Sequence, residues 1–238
     1  MESPYDAIAE LYDPWSRSVV EDVGFYVEEA VGAGPGPVVE LGVGTGRIAL
    51  PLSRRGVRVH GIDLSEAMVA RLREKPGADA VGATIGDFAT TRVPGTFSLV
   101  YLVINTIMNL TGQDEQVACF ANAAAHLEPG GCFVVEVGVP ALRRLPPGET
   151  VRAFDVGVAH LGFDEYDVAA QGLVSHHYRV VDGGLRVDSV PFRYVWPSEL
   201  DLMARMAGMT LAERHAGWRG EPFTGESEQH VSVWRRPG

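Results

Sequence analysis

The stretch that decides the fold is Val38-Val39-Glu40-Leu41-Gly42-Val43-Gly44-Thr45-Gly46-Arg47. Its first half is a compact apolar run of the kind that forms a buried parallel strand. Its second half carries a glycine at every other position, so the backbone of a turn can approach a ligand where a Cβ would collide. Pro51 follows and lacks the amide that a regular helix starting at Thr45 would need. We therefore predict a strand, a ligand-binding turn and a helix that begins late or bends.

The glycine pattern differs from the dinucleotide-binding fingerprint. That fingerprint requires glycine or alanine at its sixth position, where this chain has Arg47. The Tyr-x-x-x-Lys pair of short-chain dehydrogenases is also absent, because Lys75 is the single lysine and Arg71 lies four positions before it. An NAD(P)-dependent dehydrogenase is therefore an alternative that the sequence disfavours. Lys75 follows a predicted helix and precedes Pro76, and we expect its side chain to face solvent.

The overall charge disfavours nucleic-acid and anionic membrane partners. The chain has 31 acidic and 20 basic residues and a formal net charge of -11, whereas such partners require clustered positive charge. It has no run of roughly 18 apolar residues, and its first residues lack the basic and apolar regions of a secretion signal. Cys119 and Cys132 lie in apolar segments without metal-ligand spacing, which favours buried thiols and no metal site. We therefore expect a cytoplasmic protein with a small-molecule partner.

The first part of the chain, to about residue 137, alternates between strand signals and helix signals. Apolar runs at 38–43, 57–64, 97–104 and 132–139 predict buried strands. Apolar residues recur at helical spacing over about 112–127, which predicts an amphipathic helix between the last two strands. This alternation is typical of an α/β fold, with a parallel sheet covered by helices.

The pattern changes in the next part of the chain. Residues 140–150 are rich in proline, arginine and glycine and are interpreted as a connector. Alternating stretches at about 151–160 and 173–181 follow, and then Asp182-Gly183-Gly184 leads into a further extended stretch. Asp-Gly between alternating segments is a strong hairpin signal, so this region predicts an antiparallel β insert. Pro191 would place its own strand at an edge or a bulge.

Two acidic residues stand where the second and third strands are expected to end. Asp63 lies 21 residues after Gly42, where a carboxylate can accept hydrogen bonds from both hydroxyls of a ribose. Asp87 could accept a hydrogen bond from an adenine amino group, beside a contact from Phe88. Either acid alone could equally be a helix cap. Three strand ends in order with matching chemistry favour a ligand that contains a nucleoside.

Over residues of about 36–138, the sequence resembles the class I S-adenosylmethionine-dependent methyltransferases. The matching segments are Glu40-Leu41-Gly42-Val43-Gly44-Thr45-Gly46, Gly61-Ile62-Asp63-Leu64-Ser65-Glu66-Ala67-Met68, Gly86-Asp87-Phe88 and His126-Leu127-Glu128-Pro129-Gly130-Gly131. Within this class the chain is most similar to small-molecule methyltransferases of natural-product pathways, including the aminosugar N,N-dimethyltransferases. The resemblance implies S-adenosyl-L-methionine as cofactor and a Rossmann-like α/β fold. The sheet would have seven mostly parallel strands, with helices on both faces and one antiparallel strand near its edge.

The resemblance also implies how the chain is organised. We expect one methyltransferase domain over residues 1–238. Its parts are an N-terminal helical cap (1–33), a cofactor-binding core (36–138), the antiparallel β insert after strand five with the substrate region (140–196), and a C-terminal helix with strands (197–238). The tyrosine-containing N-terminal helix and the insert are the parts shared with the aminosugar enzymes in particular.

A cofactor site is carried over from the resemblance residue by residue. It comprises Tyr5, Tyr12, Glu40, Gly42, Gly44, Gly46, Asp63, Leu64, Met68, Asp87, Phe88 and Leu102. Glu40 and the Leu102 carbonyl are expected near the methionine amino group, and an N-terminal tyrosine near the methionine carboxylate. Tyr5 and Tyr12 are seven residues apart and would share one face of a helix. The alternative for both tyrosines is that they only pack the helix onto the core.

Candidates for the acceptor side follow strand four and lie in the insert. We predict Asn105 and His176 as catalytic residues, and Asn105, Asn109, Tyr166, Arg193 and Trp196 as substrate residues. Asn105 and Thr106 would face the methyl group, although such residues also form turns and caps. His176 matches a position near the substrate in the resembled enzymes, whereas a lone strand histidine is otherwise a surface residue. Arg193 would suit an anionic acceptor, the alternative being a solvated arginine.

Methyl transfer from a sulfonium is an in-line displacement whose electronics the cofactor supplies. The protein has to hold a nucleophile about 3–3.5 Å from the methyl carbon with water excluded. A neutral amine needs no base in this step, whereas an alcohol is helped by one. The leading hypothesis is methylation of a nitrogen or oxygen of a small metabolite. A non-catalytic cofactor-binding protein is a second alternative, and both a monomer and a homodimer are open.

Overall fold

In the computed structural model, the described residues are 3, 5–16, 21–32, 36–181 and 183–238. Residues 1, 2, 4, 17–20 and 33–35, which include parts of the predicted helical cap, lie outside them, as does Asp182 of the predicted hairpin. The described helices are α1 (Ala9–Ser16), α2 (Glu21–Gly32), α3 (Ala49–Arg54), α4 (Glu66–Arg73), α5 (Gln113–His126) and α6 (Pro197–Met206). Single 3-10 turns cover Asp6–Ile8, Ala78–Ala80, Thr106–Asn109 and Ala141–Arg144. None of the described helices has the length and apolar content needed to cross a membrane.

The described strands form one large and one small sheet. In chain order they are β1 (Val38–Leu41), β2 (Val59–Asp63), β3 (Val81–Ile85), β4 (Phe97–Leu102), β5 (Leu127–Gly138), β6 (Val151–Val156), β7 (His160–Asp167), β8 (Gly172–Val181), β9 (Gly184–Arg193), β10 (Thr210–His215) and β11 (Gln229–Arg235). The large sheet has the order β10-β11-β5-β4-β1-β2-β3. Its pairs are parallel except those of β11, which runs antiparallel to both β5 and β10. The seven-stranded, mostly parallel sheet with one antiparallel strand near its edge is therefore confirmed.

The strand order reverses between β1 and β4. From β1 the chain moves outward to β2 and β3, and it then crosses back to β4 on the other side. In open α/β sheets a crevice forms at such a switch point, outside the carboxyl ends of the strands. The glycine-rich turn after β1 lies at this point, so the topology places the predicted ligand-binding turn where a ligand has room.

Both faces of the large sheet are buried. Val39 and Leu41 pack into a cluster on one face that includes Phe120 of α5. Val38 belongs to the cluster on the other face, which includes Leu72 of α4. Because helices cover both faces, the central strands β1 and β4 are buried along their whole length and are mostly apolar instead of alternating.

The helix after the glycine turn begins late, as Pro51 predicts. Residues 42–48 form turns, and α3 starts only at Ala49. Pro51 therefore lies in the first turn of α3, where backbone amides have no intrahelical partner and a missing N–H costs little. Within the turn, the Gly42 and Gly44 amides donate to the Ile62 carbonyl and to Asp63 Oδ2, both at 2.7 Å, so the turn is joined to the end of β2.

The insert is an antiparallel sheet of four strands in the order β6-β7-β8-β9. The sequence predicted one strand over about 151–160, but the chain turns at 157–159 and returns as β7. The Gly157 amide closes this turn by donating to the His160 carbonyl at 2.8 Å. Pro191 lies in β9, an edge strand, as predicted.

Candidate functional site

A cavity of about 390 Å³ opens at the carboxyl ends of β1 to β4. Its lining residues come from the N-terminal segment, the four strand ends and one position of the insert. They are Ser3, Tyr5, Tyr12, Gly42, Gly44, Asp63, Leu64, Met68, Asp87, Phe88, Ile104, Thr106, Asn109, Leu110, Thr111 and Pro191. Nine of the twelve residues predicted for the cofactor are in this set, as is Asn109 from the predicted substrate residues.

Asp63 is fixed to the glycine turn by its carboxylate. Its Oδ2 accepts a hydrogen bond from the Gly44 amide at 2.7 Å, and its Oδ1 accepts one from the Ser65 amide at 2.8 Å. Burial is the main influence on the Asp63 carboxyl and raises its pKa, whereas the two amide hydrogen bonds act in the opposite direction. Each carboxylate oxygen still has acceptor capacity for a ligand hydroxyl. The side chain is thus oriented by the protein before any ligand arrives.

The three glycines of the turn have different neighbours. Gly42 and Gly44 line the cavity, and a Cβ at Gly42 would lie 2.7 Å from Cγ2 of Thr106. Gly46 does not line it. A Cβ at Gly46 would lie 2.3 Å from Cδ1 of Leu72, so this glycine is needed for packing against α4. Gly46 thus lies outside the cavity lining, and its predicted contact with the cofactor stays a prediction.

Asp87 and Phe88 stand at the far end of the cavity, just after β3. Asp87 Oδ1 accepts a hydrogen bond from the Ala89 amide at 2.8 Å, which makes a local turn and orients the carboxylate. Phe88 is 9% exposed and borders the cavity. Leu64 and Met68 add apolar walls. All four residues line the cavity, as contacts with an adenine would require, and the contacts themselves stay predictions.

The two N-terminal tyrosines face the cavity from the same side. Their rings contact edge to face, with centroids 6.3 Å apart. The Tyr5 hydroxyl donates to Oδ1 of Asn109 at 3.0 Å. Burial raises the pKa of Tyr12 to about 12 and also raises that of Tyr5. Both hydroxyls therefore stay protonated at neutral pH. The Tyr12 hydroxyl can act as a donor in the cavity, whereas the Tyr5 hydroxyl donates to Asn109.

Glu40 and Leu102 do not line the cavity. Glu40 is 2% exposed, and its Oε2 accepts a hydrogen bond from the Tyr101 hydroxyl at 2.9 Å, between β1 and β4. Leu102 is fully buried in the core on the other face of the sheet, and Ile104 is the first residue after β4 that borders the cavity. The predicted contacts of Glu40 and of the Leu102 carbonyl with the methionine amino group stay predictions, although neither residue lines the cavity.

Glu40→Gln is expected to reduce the dependence of stability on pH. Burial raises the pKa of Glu40 from 4.5 to about 8, so the folded protein keeps a proton that the unfolded chain has already released. The free energy of unfolding then falls as pH rises through this interval, by at most about 1.4 kcal/mol per pH unit for one proton. Urea unfolding of both proteins at several pH values between 4.5 and 8 measures the difference. Glu28→Gln at an exposed position is the matched control, and equal slopes for wild type and Glu40→Gln would contradict the prediction.

Neither predicted catalytic residue reaches the cavity. Asn105 is exposed, and its Oδ1 accepts a hydrogen bond from the Gly138 amide at 2.6 Å, so the side chain ties the turn after β4 to the end of β5. His176 contacts Glu165 Oε2 at 3.1 Å and Ser189 Oγ at 2.8 Å through its two ring nitrogens. The structure thus places both side chains outside the cavity lining, bonded to other protein groups, and their catalytic roles stay predictions.

Three of the predicted substrate residues also lie outside the cavity lining. Arg193 is 5% exposed and ion-pairs with Glu199 at 2.7 Å, while Gln116 accepts from its other nitrogen at 2.5 Å. It joins β9, α5 and α6, and its charge is already balanced by a carboxylate. Tyr166 is buried against Tyr194, with ring centroids 5.9 Å apart. Trp196, the third, precedes α6 and packs edge to face on the Tyr194 ring.

Lys75 differs from its prediction as well. Its ammonium lies 2.7 Å from Asp13 Oδ2 and donates to the Thr45 carbonyl at 2.8 Å. The side chain is 28% exposed, so the expected solvent-facing lysine is wrong. A partner 62 residues earlier in the sequence was not visible from the local pattern around Lys75.

The lining residues that the cofactor and substrate predictions missed are Ser3, Ile104, Thr106, Leu110, Thr111 and Pro191. Four of them belong to the segment after β4, from which the sequence selected Asn105 and Asn109 and considered Thr106. Thr106 and Asn109, three residues apart in the 3-10 turn, both line the cavity because side chains at this spacing share one side of such a turn. No three or more His, Cys, Asp or Glu side chains among the described residues are arranged to hold a metal ion.

Known proteins resemble this chain in sequence and in fold. Residues 38–131 match a protein-family model described as a methyltransferase domain. The cypemycin N-terminal methyltransferase of a Streptomyces species is 29% identical over 208 residues, which cover 84% of this chain and 82% of that protein. The solved CcbJ methyltransferase from Streptomyces caelestis is 39% identical, with a TM-score of 0.86 over 97% of this chain and 96% of that chain. A SAM-bound amino pentose methyltransferase from Micromonospora echinaspora, 22% identical, shares the fold, with a TM-score of 0.72 over 99% of this chain and 98% of that chain.

Proposed function

This chain belongs to the S-adenosylmethionine-dependent methyltransferase family, and we propose that it methylates an amine nitrogen of a small natural-product molecule. The observation that carries the proposal is the position of Asp63. Its carboxylate is held at the second strand end, between the glycine turn and the cavity, by two backbone amides. Because the chain belongs to this family, we no longer consider an NAD(P)-dependent dehydrogenase.

The cavity has the chemistry that the parts of the cofactor require. Asp63 offers acceptors to the ribose hydroxyls, and the turn at Gly42 and Gly44 allows close backbone approach. Asp87 and Phe88 offer an acceptor and an apolar surface to the adenine. The Tyr12 hydroxyl supplies a protonated donor, which suits a carboxylate at the methionine end, while the Tyr5 hydroxyl donates to Asn109.

The absence of a suitable base among the described lining residues favours an amine as acceptor. The titratable side chains that line the cavity are Tyr5, Tyr12, Asp63 and Asp87. The tyrosine hydroxyls hold their protons well beyond neutral pH, and each aspartate accepts hydrogen bonds from backbone amides at the end proposed for the nucleoside. A neutral amine can attack without transferring its proton in the same step, whereas an alcohol gains from a base. Names of relatives point the same way, since the cypemycin enzyme is an N-terminal methyltransferase.

The protein's part in the reaction would be to bind, orient and exclude water. The cofactor, when bound, supplies an electrophilic methyl group on a positively charged sulfur. The N-terminal segment and the turn after β4 close the cavity from two sides, so a nucleophile can be held at attack distance away from bulk solvent. Arg193 gives no support to an anionic acceptor, because its charge is paired with that of Glu199.

The proposal is tested by calorimetry and turnover. The full chain is expected to bind S-adenosylhomocysteine with one site per protein and to transfer labelled methyl groups to members of a panel of aminosugars and amine-bearing peptides. The corresponding alcohols serve as the matched panel. Lack of binding of both the cofactor and its demethylated product would overturn the proposal. Binding without turnover on either panel would favour a non-catalytic cofactor-binding protein instead.

A further inference from the structure

The N-terminal segment is fastened across the cavity by acidic side chains. Asp6 Oδ1 accepts from the Ser65 hydroxyl at 2.5 Å and from the Ala67 amide at 3.3 Å, at the start of α4. One helical turn later, Glu10 pairs with Arg71 at 3.1 Å, and a further turn later Asp13 pairs with Lys75 at 2.7 Å. The segment thus lies along α4 with the two tyrosines directed into the cavity.

The contact at Asp13 differs from the other two because it includes the glycine turn. The Lys75 ammonium donates to Asp13 and to the Thr45 carbonyl, while the Thr45 hydroxyl donates to Asp13 Oδ1 at 2.5 Å. Thr45 is 1% exposed, so solvent does not reach its side of this three-residue contact. A single ammonium therefore joins α1, the end of α4 and the turn between β1 and α3.

The residues that precede Asp13 and Thr45 in the sequence both line the cavity. Tyr12 precedes Asp13, and Gly44 precedes Thr45 and donates its amide to Asp63. A displacement of Asp13 from Lys75 would move Tyr12 away from the cavity and free the backbone beside Gly44. By contrast, Glu10 is 85% exposed, and its pair with Arg71 has no bond to the glycine turn. Exposed pairs of this kind contribute little.

We propose that Lys75 and Asp13 are positioning residues that hold α1 closed over the cofactor. Opening of this contact is the step that lets the demethylated cofactor leave and fresh cofactor enter. The inference rests on the proposed function, since it takes the cavity to be the cofactor site. Neither residue touches the reacting atoms, and both act through Tyr12 and the glycine turn.

A double-mutant cycle tests the proposal through S-adenosylhomocysteine binding and release, measured by calorimetry and stopped-flow fluorescence. Lys75→Met and Asp13→Asn are each expected to raise the dissociation rate about tenfold, since most affinity changes at one site appear in the off-rate. The double variant is expected to be no worse than either single variant, because both remove the same contact. Lys75→Arg keeps the charge and is expected to restore most of the affinity. Arg71→Met, which removes the exposed pair on α4, is the matched control and should change the rate less than about twofold.

The single lysine allows a second readout that does not depend on activity. An amine-reactive reagent can modify only the terminal amine and Lys75, because the sequence has no other lysine. Mass spectrometry is expected to show slow labelling of Lys75, slower still with S-adenosylhomocysteine, and faster labelling in Asp13→Asn. The proposal would be overturned if the single variants released the ligand at the wild-type rate or if their effects added in the double variant. It would also be overturned if the labelling rate of Lys75 were the same with and without S-adenosylhomocysteine. Failure of the wild type to bind the ligand would instead overturn the proposed function.

Discussion

Asp63→Ala is expected to weaken binding of S-adenosylhomocysteine about 100-fold or more, from two lost hydrogen bonds to a charged acceptor at roughly 1.5–3 kcal/mol each. The Asp63 carboxylate is the acceptor proposed for both ribose hydroxyls. The same carboxylate holds the glycine turn in place at the cavity, because it accepts hydrogen bonds from the Gly44 and Ser65 amides. The substitution therefore removes a ligand contact and loosens the turn that the ligand lies against. Calorimetry on the purified variant measures the change in Kd.

Two further variants separate these effects. Asp63→Asn keeps one oxygen as an acceptor, and it is expected to bind the ligand with intermediate affinity. Asp79→Ala removes an exposed acid in the 3-10 turn after α4 and controls for the loss of negative charge. An Asp63→Ala protein that is folded and binds within about threefold of wild type would contradict the assignment of Asp63 to the ribose.

Gly46→Ala is expected to destabilise the fold by about 3 kcal/mol, the sum of roughly 1–2 for a left-handed backbone and 1–3 for overpacking. Gly46 has φ +80°, and an added Cβ would lie 2.3 Å from Leu72 Cδ1 and 3.2 Å from Leu50 Cγ. Leu72 is fully buried against the sheet, so it has little room to move. Urea unfolding monitored by circular dichroism measures the loss.

Gly56→Ala is the matched control for the backbone part of this effect. Gly56 has φ +83°, and a Cβ added there would meet no atom within 4 Å. Its substitution is expected to cost only the left-handed strain, about 1–2 kcal/mol. Equal losses in the two variants would show that Leu72 yields to the new methyl group. They would leave the packing role of Gly46 without support.

The sequence predicted the cofactor half of the site because each of its signals is local. A strand that ends in glycines, an acid at the next strand end and a second acid at the third lie within short segments of the chain. Parallel strands place their carboxyl ends along one edge, so order in sequence becomes proximity in space. Gly42, Gly44, Asp63 and Asp87 accordingly line one cavity.

Most residues predicted for the acceptor lie outside the cavity lining, because their side chains bond to groups that are distant in sequence. Arg193 donates a hydrogen bond to Gln116, which is 77 residues earlier, and forms an ion pair with Glu199 that neutralises its charge. Asn105 bonds to a backbone amide 33 residues later. A polar residue in a predicted site region can be equally a ligand contact or a structural cross-link, and sequence position does not distinguish the two.

By itself, the sequence determined the order of strands and helices in the first part of the chain, the family and the turn chemistry at the strand ends. These follow from periodicity, glycine and proline placement and short motifs, which act over a few residues. Tertiary structure alone decided that Glu40 is buried in the sheet, that Gly46 packs on Leu72 and that Lys75 joins α1 to the glycine turn. These outcomes depend on which distant segments come into contact. Burial and charge pairing are properties of the packed chain, and the residues on either side do not specify them.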